Sequence, residues 1–355
     1  MTGRVADYLF AGAVRLRVHG PERVLRHFDA EYGEAATPPS DARPDVEVRI
    51  RRGTRVDHVD GGTVVTGGYK SARWHVALGP PEAVPLRGQL ALAGGPPAFQ
   101  LSLVQGWFVE ALVAVALARS GRVALPAAGF AGPGGVTVVL GRSGAGKTTL
   151  TARALAAGGR VLSDDQVVLD AAGRVWRYPR RLRLYPDIAQ TAPQAWARLR
   201  PATRAALSLR GRVRRWTRGY VAPSLAVPAV EIGRTVEPGP LPLRDLLVVD
   251  RSGGSTLTVG PREPAWVVEQ AGLVLADQRA RLSGAVGTAW QRALDAVLAA
   301  ELRTLAEALA GVPATEVVLP RAWGAQQSVA ELEAHLPVTP DRAPPPGEEP
   351  RHPTR

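Results

Sequence analysis

The sequence predicts an α/β protein in which helices flank a mixed sheet, preceded by a smaller α+β N-terminal region. Two observations in the middle of the chain indicate the larger part. A β-branched run at 136–140 is followed by a glycine-rich loop and then by good helix formers. A second apolar run, at 160–163, ends in two adjacent aspartates. The third observation is the alternation of apolar and polar residues in the first 100 residues, which is typical of half-buried strands.

The N-terminal region contains short elements, most of them strands. Residues 13–18 alternate as a strand does, residues 21–32 resemble a short helix, and residues 45–51 form a second alternating strand. Further strands are predicted at 62–66, 72–77 and 99–103. No spacing in this region specifies chemistry, so we interpret residues 1–100 as an appended α+β region.

The segment 101–119 is predicted to be a helix packed beneath the sheet. Its longest apolar run, Trp107 to Ala118, includes Glu110 and falls short of the ~20 residues that a membrane-spanning helix needs. The first seven residues lack the apolar core of a signal peptide, and the chain has no cysteine. These features predict a protein that does not enter the membrane and lies in the cytoplasm.

The glycine-rich loop fits the phosphate-binding pattern G-x-x-x-x-G-K-[ST] at every fixed position. It comprises Gly141, Arg142, Ser143, Gly144, Ala145, Gly146, Lys147, Thr148 and Thr149. Glycines allow successive backbone N–H groups to point at phosphate oxygens, and the following helix adds partial positive charge there. The pattern places Lys147 at the β- and γ-phosphates of ATP and the Thr148 hydroxyl at Mg²⁺. The chain has only two lysines, Lys70 and Lys147, and the loop contains the compact ammonium that fits between phosphates.

Asp164 and Asp165 end the strand that follows the phosphate-loop helix. One carboxylate here can hold the Mg²⁺ that bridges the phosphates, and the other can accept the proton of an attacking hydroxyl. Neighbours in a strand point to opposite faces, so both can act in one site only if the strand ends or twists there. The predicted catalytic residues are Asp164, Asp165 and Lys147. Which of the two carboxylates takes which role stays open on the residues alone.

The rest of the chain predicts the remaining strands and their flanking helices. The elements are a hairpin at 167–178, a buried strand at 246–250, helices over most of 263–309 and a last strand at 315–320. The proline-rich, charged segment 337–355 is predicted to be a disordered tail. The predicted domains are therefore the N-terminal region 1–100, a nucleotide-binding domain 101–336 and the tail 337–355.

The chain is strongly basic, with 44 Lys and Arg against 32 Asp and Glu and a net charge of +12. Such a balance is common in nucleic-acid-binding proteins. The few aromatic residues, however, are not interleaved with the basic runs as a single-strand stacking surface requires, so nucleic-acid binding is disfavoured. The densest basic run spans Arg198 to Arg218. Two interpretations stay open: a mobile arm that clamps ATP phosphates or an acidic peptide, or a solvated arginine-rich helix and loop.

The phosphate loop, a helix ending in glycine, a strand ending in Ser163-Asp164-Asp165 and a hairpin together resemble the C-terminal domain of HPr kinase/phosphorylase. They are equally similar to the ATP-dependent phosphoenolpyruvate carboxykinases. The wider HPr-kinase-like group includes small kinases that tailor peptide natural products. The specific part covers about residues 122–180. Two stretches depart from the family pattern: 125–129 lacks its histidine before the loop, and 231–234 matches its second signature only loosely.

The resemblance implies a P-loop, HPr-kinase-like mixed sheet and an ATP-dependent serine kinase. ATP and Mg²⁺ are the implied cofactors, and a peptide or small protein is the implied acceptor. The resemblance also implies that Asp164 and Asp165 share the base and metal roles. We favour Asp164 as the base and Asp165, with Thr148, as the metal ligand; the reverse assignment stays open. The two departures put the phosphorylase reaction, and HPr itself as the partner, in question. The alternative is a nucleotide-binding switch or partner-binding module with little transfer activity; an ATPase acting on nucleic acid ranks last. The identity of the acceptor and the oligomeric state, including a homo-oligomer, stay open.

Overall fold

Two mixed β-sheets and the helices that cover them make up the fold. The computed structural model describes residues 4–57, 59–218, 220–221, 224–234 and 239–336. The first sheet comes from the N-terminal region, the second from residues after 121, and a long helical segment joins them in sequence. The tail predicted at 337–355 lies outside the described residues.

The first sheet has seven strands. Their bounds are β1 Arg4–Phe10, β2 Val14–Gly20, β3 Ala36–Thr37, β4 Val46–Arg52, β5 Thr63–Tyr69, β6 Ala72–Leu78 and β7 Leu86–Ala93. Their order in the sheet is β3-β1-β2-β4-β7-β6-β5. Helix α1, Glu22–Tyr32, lies with β3 in the connection from β2 to the parallel strand β4, and it buries Val24, Leu25 and Phe28. The strands and helix predicted between 13 and 51 are confirmed within two residues.

A continuous helical segment packs on the core beneath the first sheet. It comprises α2 Pro97–Val104, a π-helical turn Gln105–Val109 and α3 Glu110–Arg119. The strand predicted at 99–103 is therefore wrong. Pro97 occupies the first helical position, and a short continuous apolar run fits a buried helix as well as a buried strand. The domain boundary predicted at residue 100 falls inside α2.

Among the described residues, the segment Pro97–Arg119 is long and apolar enough to cross a bilayer. Of its most apolar 18-residue window, 78% is buried inside the protein. A helix that is apolar on all sides is found either in a membrane or in a protein core. The burial favours a core helix, and location in the cytoplasm stays a prediction.

The second sheet has nine strands, and all of them follow the helical segment in the chain. The strands that follow α3 are β8 Arg122–Leu125, β9 Ala127–Gly132, β10 Gly135–Gly141, β11 Arg160–Ser163, β12 Val167–Asp170, β13 Arg174–Arg177, β14 Leu182–Leu184, β15 Leu225–Val227, β16 Leu241–Gly253, β17 Thr258–Pro261 and β18 Ala314–Pro320. The main path through the sheet is β11-β9-β10-β16-β13-β12-β8, with β18 beside β16 and β17 beside β18, while β14 and β15 pair separately. Strands β10, β16 and β18 are parallel. The hairpin predicted at 167–178 is confirmed as β12 and β13.

Seven helices of the described chain follow α3. They are α4 Lys147–Ala156, α5 Ile188–Thr191, α6 Pro193–Arg198, α7 Pro201–Trp216, α8 Pro264–Ser283, α9 Thr288–Ala308 and α10 Ala325–Ala334. Helices α8 and α9 pack on one side of the second sheet, where Leu275 and Leu305 are buried. Helices α4 and α10 pack in a separate hydrophobic cluster with Leu150 and Leu332. The predicted α/β class is confirmed, and this layering leaves the C-terminal end of β10 open for a site.

Candidate functional site

The phosphate loop predicted at 141–149 connects β10 to the first turn of α4. Gly144 and Gly146 have φ angles of 88° and 98°, a region that strains any residue with a Cβ. Gly141 is constrained by space instead, since a Cβ would lie 2.9 Å from the carbonyl oxygen of Val249 on β16. The loop therefore needs its glycines for backbone reasons. The N-terminus of α4 leaves N–H groups without helical partners beside it, which suits an anion.

Lys147, the first residue of α4, folds its side chain back over the loop. Its Nζ donates hydrogen bonds to the carbonyl oxygens of Gly141 and, at 3.3 Å, Arg142. Burial lowers the pKa of Lys147, and the carboxylates of Asp165 and Asp164 partly counter that effect. An ammonium held by carbonyls of its own loop can exchange them for phosphate oxygens, which are stronger acceptors because they are charged.

Asp164 directly follows β11 and is buried against α4. The Thr148 hydroxyl donates to Asp164 Oδ2 at 3.3 Å, whereas Asp164 Oδ1 is buried without a hydrogen-bond partner. A carboxylate oxygen without a partner, beside a hydroxyl, suits a hard cation such as Mg²⁺. The oxygen atoms present are therefore suited to the magnesium ion that the phosphate loop implies. Thr148 and Asp164, which contact each other, are the residues that would hold it.

Burial, followed by the charge of Asp165, raises the pKa of Asp164 to about 7, against the smaller opposing effects of Thr148 and Lys147. The metal-free folded protein thus holds this proton more tightly than the unfolded chain, where an aspartate has a pKa of about 3.9. The free energy of unfolding is therefore expected to fall as pH rises from about 4 to about 7. Chemical denaturation of the wild type and Asp164→Asn, whose amide mimics the neutral acid, measures this contribution.

The free energy of unfolding of Asp164→Asn, minus that of the wild type, is expected to increase by about 2–3 kcal/mol between about pH 5 and about pH 8. The wild type loses stability over this range because Asp164 ionises in a buried place, and the amide does not ionise. A difference between the two proteins that stays constant with pH would contradict the assignment of this pKa to Asp164.

Asp165 faces the same cleft and is half-exposed. Its side chain is 47% exposed, and Arg180 Nη1 lies 2.6 Å from its Oδ2. Strand β11 ends at Ser163, so the two aspartates are not held on opposite faces of a strand. Both therefore border the same cleft. The exposure leaves part of the Asp165 carboxylate accessible to a bound substrate.

Behind Asp165 lies a buried polar network that the sequence did not predict. Arg180 Nη1 also lies 3.4 Å from Glu110 Oε2. Glu110 Oε1 accepts hydrogen bonds from Tyr32 Oη at 3.0 Å and from Gln105 Nε2 at 2.9 Å. Gln105 begins the π-helical turn and Glu110 follows it, and such turns are frequent at functional sites. The signal in the sequence was the acidic residue within a long apolar run, because a buried carboxylate needs partners.

The cleft that contains these groups has a volume of about 1190 Å³. The phosphate loop, both aspartates and part of α8 line it, together with three arginines outside the loop: Arg180, Arg183 and Arg251. Arg251 Nη1 donates to the Gly144 carbonyl at 3.5 Å, and its Nη2 donates to the Trp323 carbonyl at 2.8 Å. None of the three arginines was predicted to belong to the site, because no motif marks a residue that comes near the loop only through the tertiary fold.

No protein-family model matches the chain, and no curated protein is significantly similar to it in sequence. The resemblance to HPr-kinase-like proteins therefore depends on the loop, the acidic pair and their order in the chain. Within the part of the chain that the structure describes, His, Cys, Asp and Glu form no cluster of three or more that could hold a metal ion.

Proposed function

We propose that the protein is an ATP-dependent phosphotransferase that moves the γ-phosphoryl group of ATP to a hydroxyl of a peptide or small protein. The observation that carries this proposal is that the phosphate loop and both aspartates line one cleft, in which Thr148 touches Asp164. Phosphoryl transfer asks the protein mainly for positioning and charge neutralisation, and these groups can provide both. A serine acceptor and an HPr-kinase-like fold are parts of the proposal that depend on the resemblance.

The proposed roles differ in one respect from those assigned on the sequence. The loop N–H groups and Lys147 bind the phosphates, and a bound Mg²⁺ would supply further neutralisation of phosphate charge. Thr148 and Asp164 would hold that ion, because they are in contact and Asp164 Oδ1 lacks a partner. We therefore reverse the initial preference and place Asp164, rather than Asp165, on the metal side.

Asp165 is then the group that meets the acceptor. Its accessible carboxylate can accept the proton of the attacking hydroxyl as the hydroxyl oxygen bonds to the γ-phosphorus. The bond from that phosphorus to the β–γ bridging oxygen breaks, and ADP leaves with the electron pair. Arg180 does not touch the reacting atoms in this scheme; it holds the Asp165 carboxylate from behind and is a positioning residue.

Replacing Arg180 by methionine is expected to lower kcat by on the order of 10²-fold, with a much smaller change in the KM for ATP. The carboxylate of Asp165 loses the partner that orients it, whereas the phosphate loop is untouched. Because the change also leaves buried Glu110 without its cation, it is expected to destabilise the protein by about 3–5 kcal/mol. Steady-state kinetics and denaturant unfolding measure the two effects.

A double variant, Arg180→Met with Glu110→Gln, separates positioning from folding. It removes both buried charges, so we expect most of the lost stability to return while kcat stays low. Arg174→Met is the matched control, since Arg174 lies on β13, outside the cleft, and likewise pairs with a buried carboxylate, that of Asp170. Wild-type kcat in the double variant would show that Arg180 has only a structural role.

The proposed function is tested with the full chain, Mg²⁺ and ATP labelled at the γ-phosphate, incubated with an extract of the source cells. Transfer of label to a serine of a peptide or small protein is expected, and Asp165→Asn should abolish it. Tight ATP binding without any labelled product would contradict the phosphotransferase and favour the nucleotide-binding switch. A protein that does not bind ATP would contradict both.

A further inference from the structure

Helix α7 presents basic and apolar side chains to solvent. We call this surface the α7 basic face and define it by Leu209, Arg210, Arg212, Arg214, Arg215 and Trp216. Trp216 is 85% exposed and Leu209 is 60% exposed, and the four arginines are exposed as well. Large apolar side chains that cluster in water with charged neighbours mark interaction surfaces. The surface is therefore suited to a partner that has both apolar and negatively charged groups.

Two residues of α7 pack against the rest of the protein. Leu207 is buried, and a Cβ on Gly211 would lie 3.1 Å from Pro186. Residues 209, 212 and 216 follow one another at spacings of three and four, so they share one side of the helix. The helix is thus anchored through Leu207 and Gly211, and its last turns expose arginines on several sides.

Among the described residues, the arginines of this face have no acidic partner. Helix α7 contains no acidic residue, and within the described chain Arg212, Arg214 and Arg215 form no ion pair. Arg200, just before the helix, differs because it pairs with Glu231. A set of unpaired guanidinium groups favours carboxylates, which they can bind through two hydrogen bonds each.

The α7 basic face adjoins the cleft of the proposed site. Pro186, on which Gly211 packs, lies between Tyr185 and Asp187, and both of these line the cleft. Arg210 donates a hydrogen bond to the carbonyl of Ser224, which also lines the cleft. A segment bound on the face therefore lies at the edge of the cavity that contains Asp165.

We propose that the α7 basic face binds an acidic segment of the peptide acceptor and thereby holds its hydroxyl at the entrance to the cleft. The arginines bind carboxylates of the segment, and Trp216 and Leu209 contact its apolar side chains. This inference depends on the proposed phosphotransfer to a peptide. An anionic membrane or a nucleic acid would also attract arginines, but neither explains why the face lies beside the cleft where a hydroxyl must react.

The test uses three labelled synthetic peptides of equal length that contain one serine and differ only in having Glu, Gln or Lys at the same positions. Fluorescence anisotropy with the full chain, at about physiological salt, measures their affinities. The Glu peptide is expected to bind on the order of 10-fold more tightly than the Gln peptide, and the Lys peptide more weakly still. The triple variant Arg212→Gln/Arg214→Gln/Arg215→Gln is expected to lose this preference.

A matched control removes the same net charge elsewhere. The triple variant Arg23→Gln/Arg292→Gln/Arg303→Gln replaces three exposed arginines on α1 and α9 and is expected to keep the preference for the Glu peptide. Equal binding of all three peptides to the wild type, or equal loss in both triple variants, would overturn the docking site. So would binding of phosphatidylserine vesicles or of single-stranded DNA to the face without any preference for the Glu peptide.

A fluorescent ATP analogue, measured on the same proteins, separates this inference from the proposed function. ATP binding and transfer activity without a preference for the Glu peptide would reject the docking site alone. A wild type that fails to bind the analogue would reject the proposed function. Circular dichroism of the α7 triple variant controls for its folding, since no buried residue is changed.

Discussion

Replacing Lys147 by methionine is expected to reduce ADP formation from Mg²⁺·ATP by on the order of 10³-fold. Lys147 is the lysine of the cleft, and its Nζ contacts the carbonyls of Gly141 and Arg142 at the base of the loop. In the proposed function the β- and γ-phosphates bind there, so the variant loses a cation where negative charge develops in the transition state. Methionine keeps a flexible stem of similar volume, and the loop is therefore expected to fold. A coupled assay of ADP formation and thermal unfolding measure the two properties.

Stability separates the chemical role of Lys147 from a structural one. Because burial lowers the pKa of Lys147, the fold disfavours its charge, and this cost is present at every pH below the folded pKa. Removing the charge is therefore not expected to lower the free energy of unfolding near neutral pH. Lys147→Arg is expected to be inactive, like Lys147→Met, since a planar guanidinium does not replace a compact ammonium. Arg160→Met, which removes an exposed cation at the start of β11, is the control and should keep full activity. Turnover within about tenfold of the wild type in Lys147→Met would contradict the phosphate site.

The part of the site that could be predicted from the sequence is the part that local spacing determines. The strand, loop and helix around 141–149 are adjacent in the chain, and Gly144 and Gly146 have the left-handed backbone that their residue type suggests. Asp164 and Asp165 follow the loop after one helix and one short strand. Their position beside the loop could therefore be predicted from the order of those elements alone. The separate roles of the two aspartates could not be predicted in this way, because the contact between Thr148 and Asp164 depends on the direction in which the chain turns after Ser163.

The part that could not be predicted depends on contacts between distant segments. Glu110 and Arg180 are 70 positions apart and meet only because the helical segment from the first sheet packs against the β13–β14 connection. No local pattern encodes that contact. The same limit explains the helix mistaken for a strand at 99–103, where apolar residues without polar alternation fit both elements. It also explains the parallel order of β2, β4 and β7, since register between distant strands is set by tertiary packing.

The two aspartates are expected to fail in different ways when each is replaced by asparagine. Asp165→Asn should lower kcat by about 10²–10⁴-fold while the affinity for Mg²⁺·ATP changes little, because the proton acceptor is lost and the phosphate site is intact. Asp164→Asn should lower turnover by on the order of 10³-fold and raise the Mg²⁺ concentration needed for ATP binding, because a charged metal ligand becomes neutral. ATP binding titrated with Mg²⁺, together with single-turnover transfer, distinguishes the two variants.

The opposite pattern, in which only Asp165→Asn shifts the Mg²⁺ dependence, would restore the assignment made from the sequence. Full transfer activity in both variants would contradict a phosphotransferase at this site. Misfolding cannot imitate the expected result, since asparagine preserves the acceptor that Thr148 contacts and removes a charge that burial disfavours. Asp164→Asn should therefore be at least as stable as the wild type near neutral pH while it is nearly inactive. That combination is typical of a residue whose charge the fold retains for binding rather than for stability.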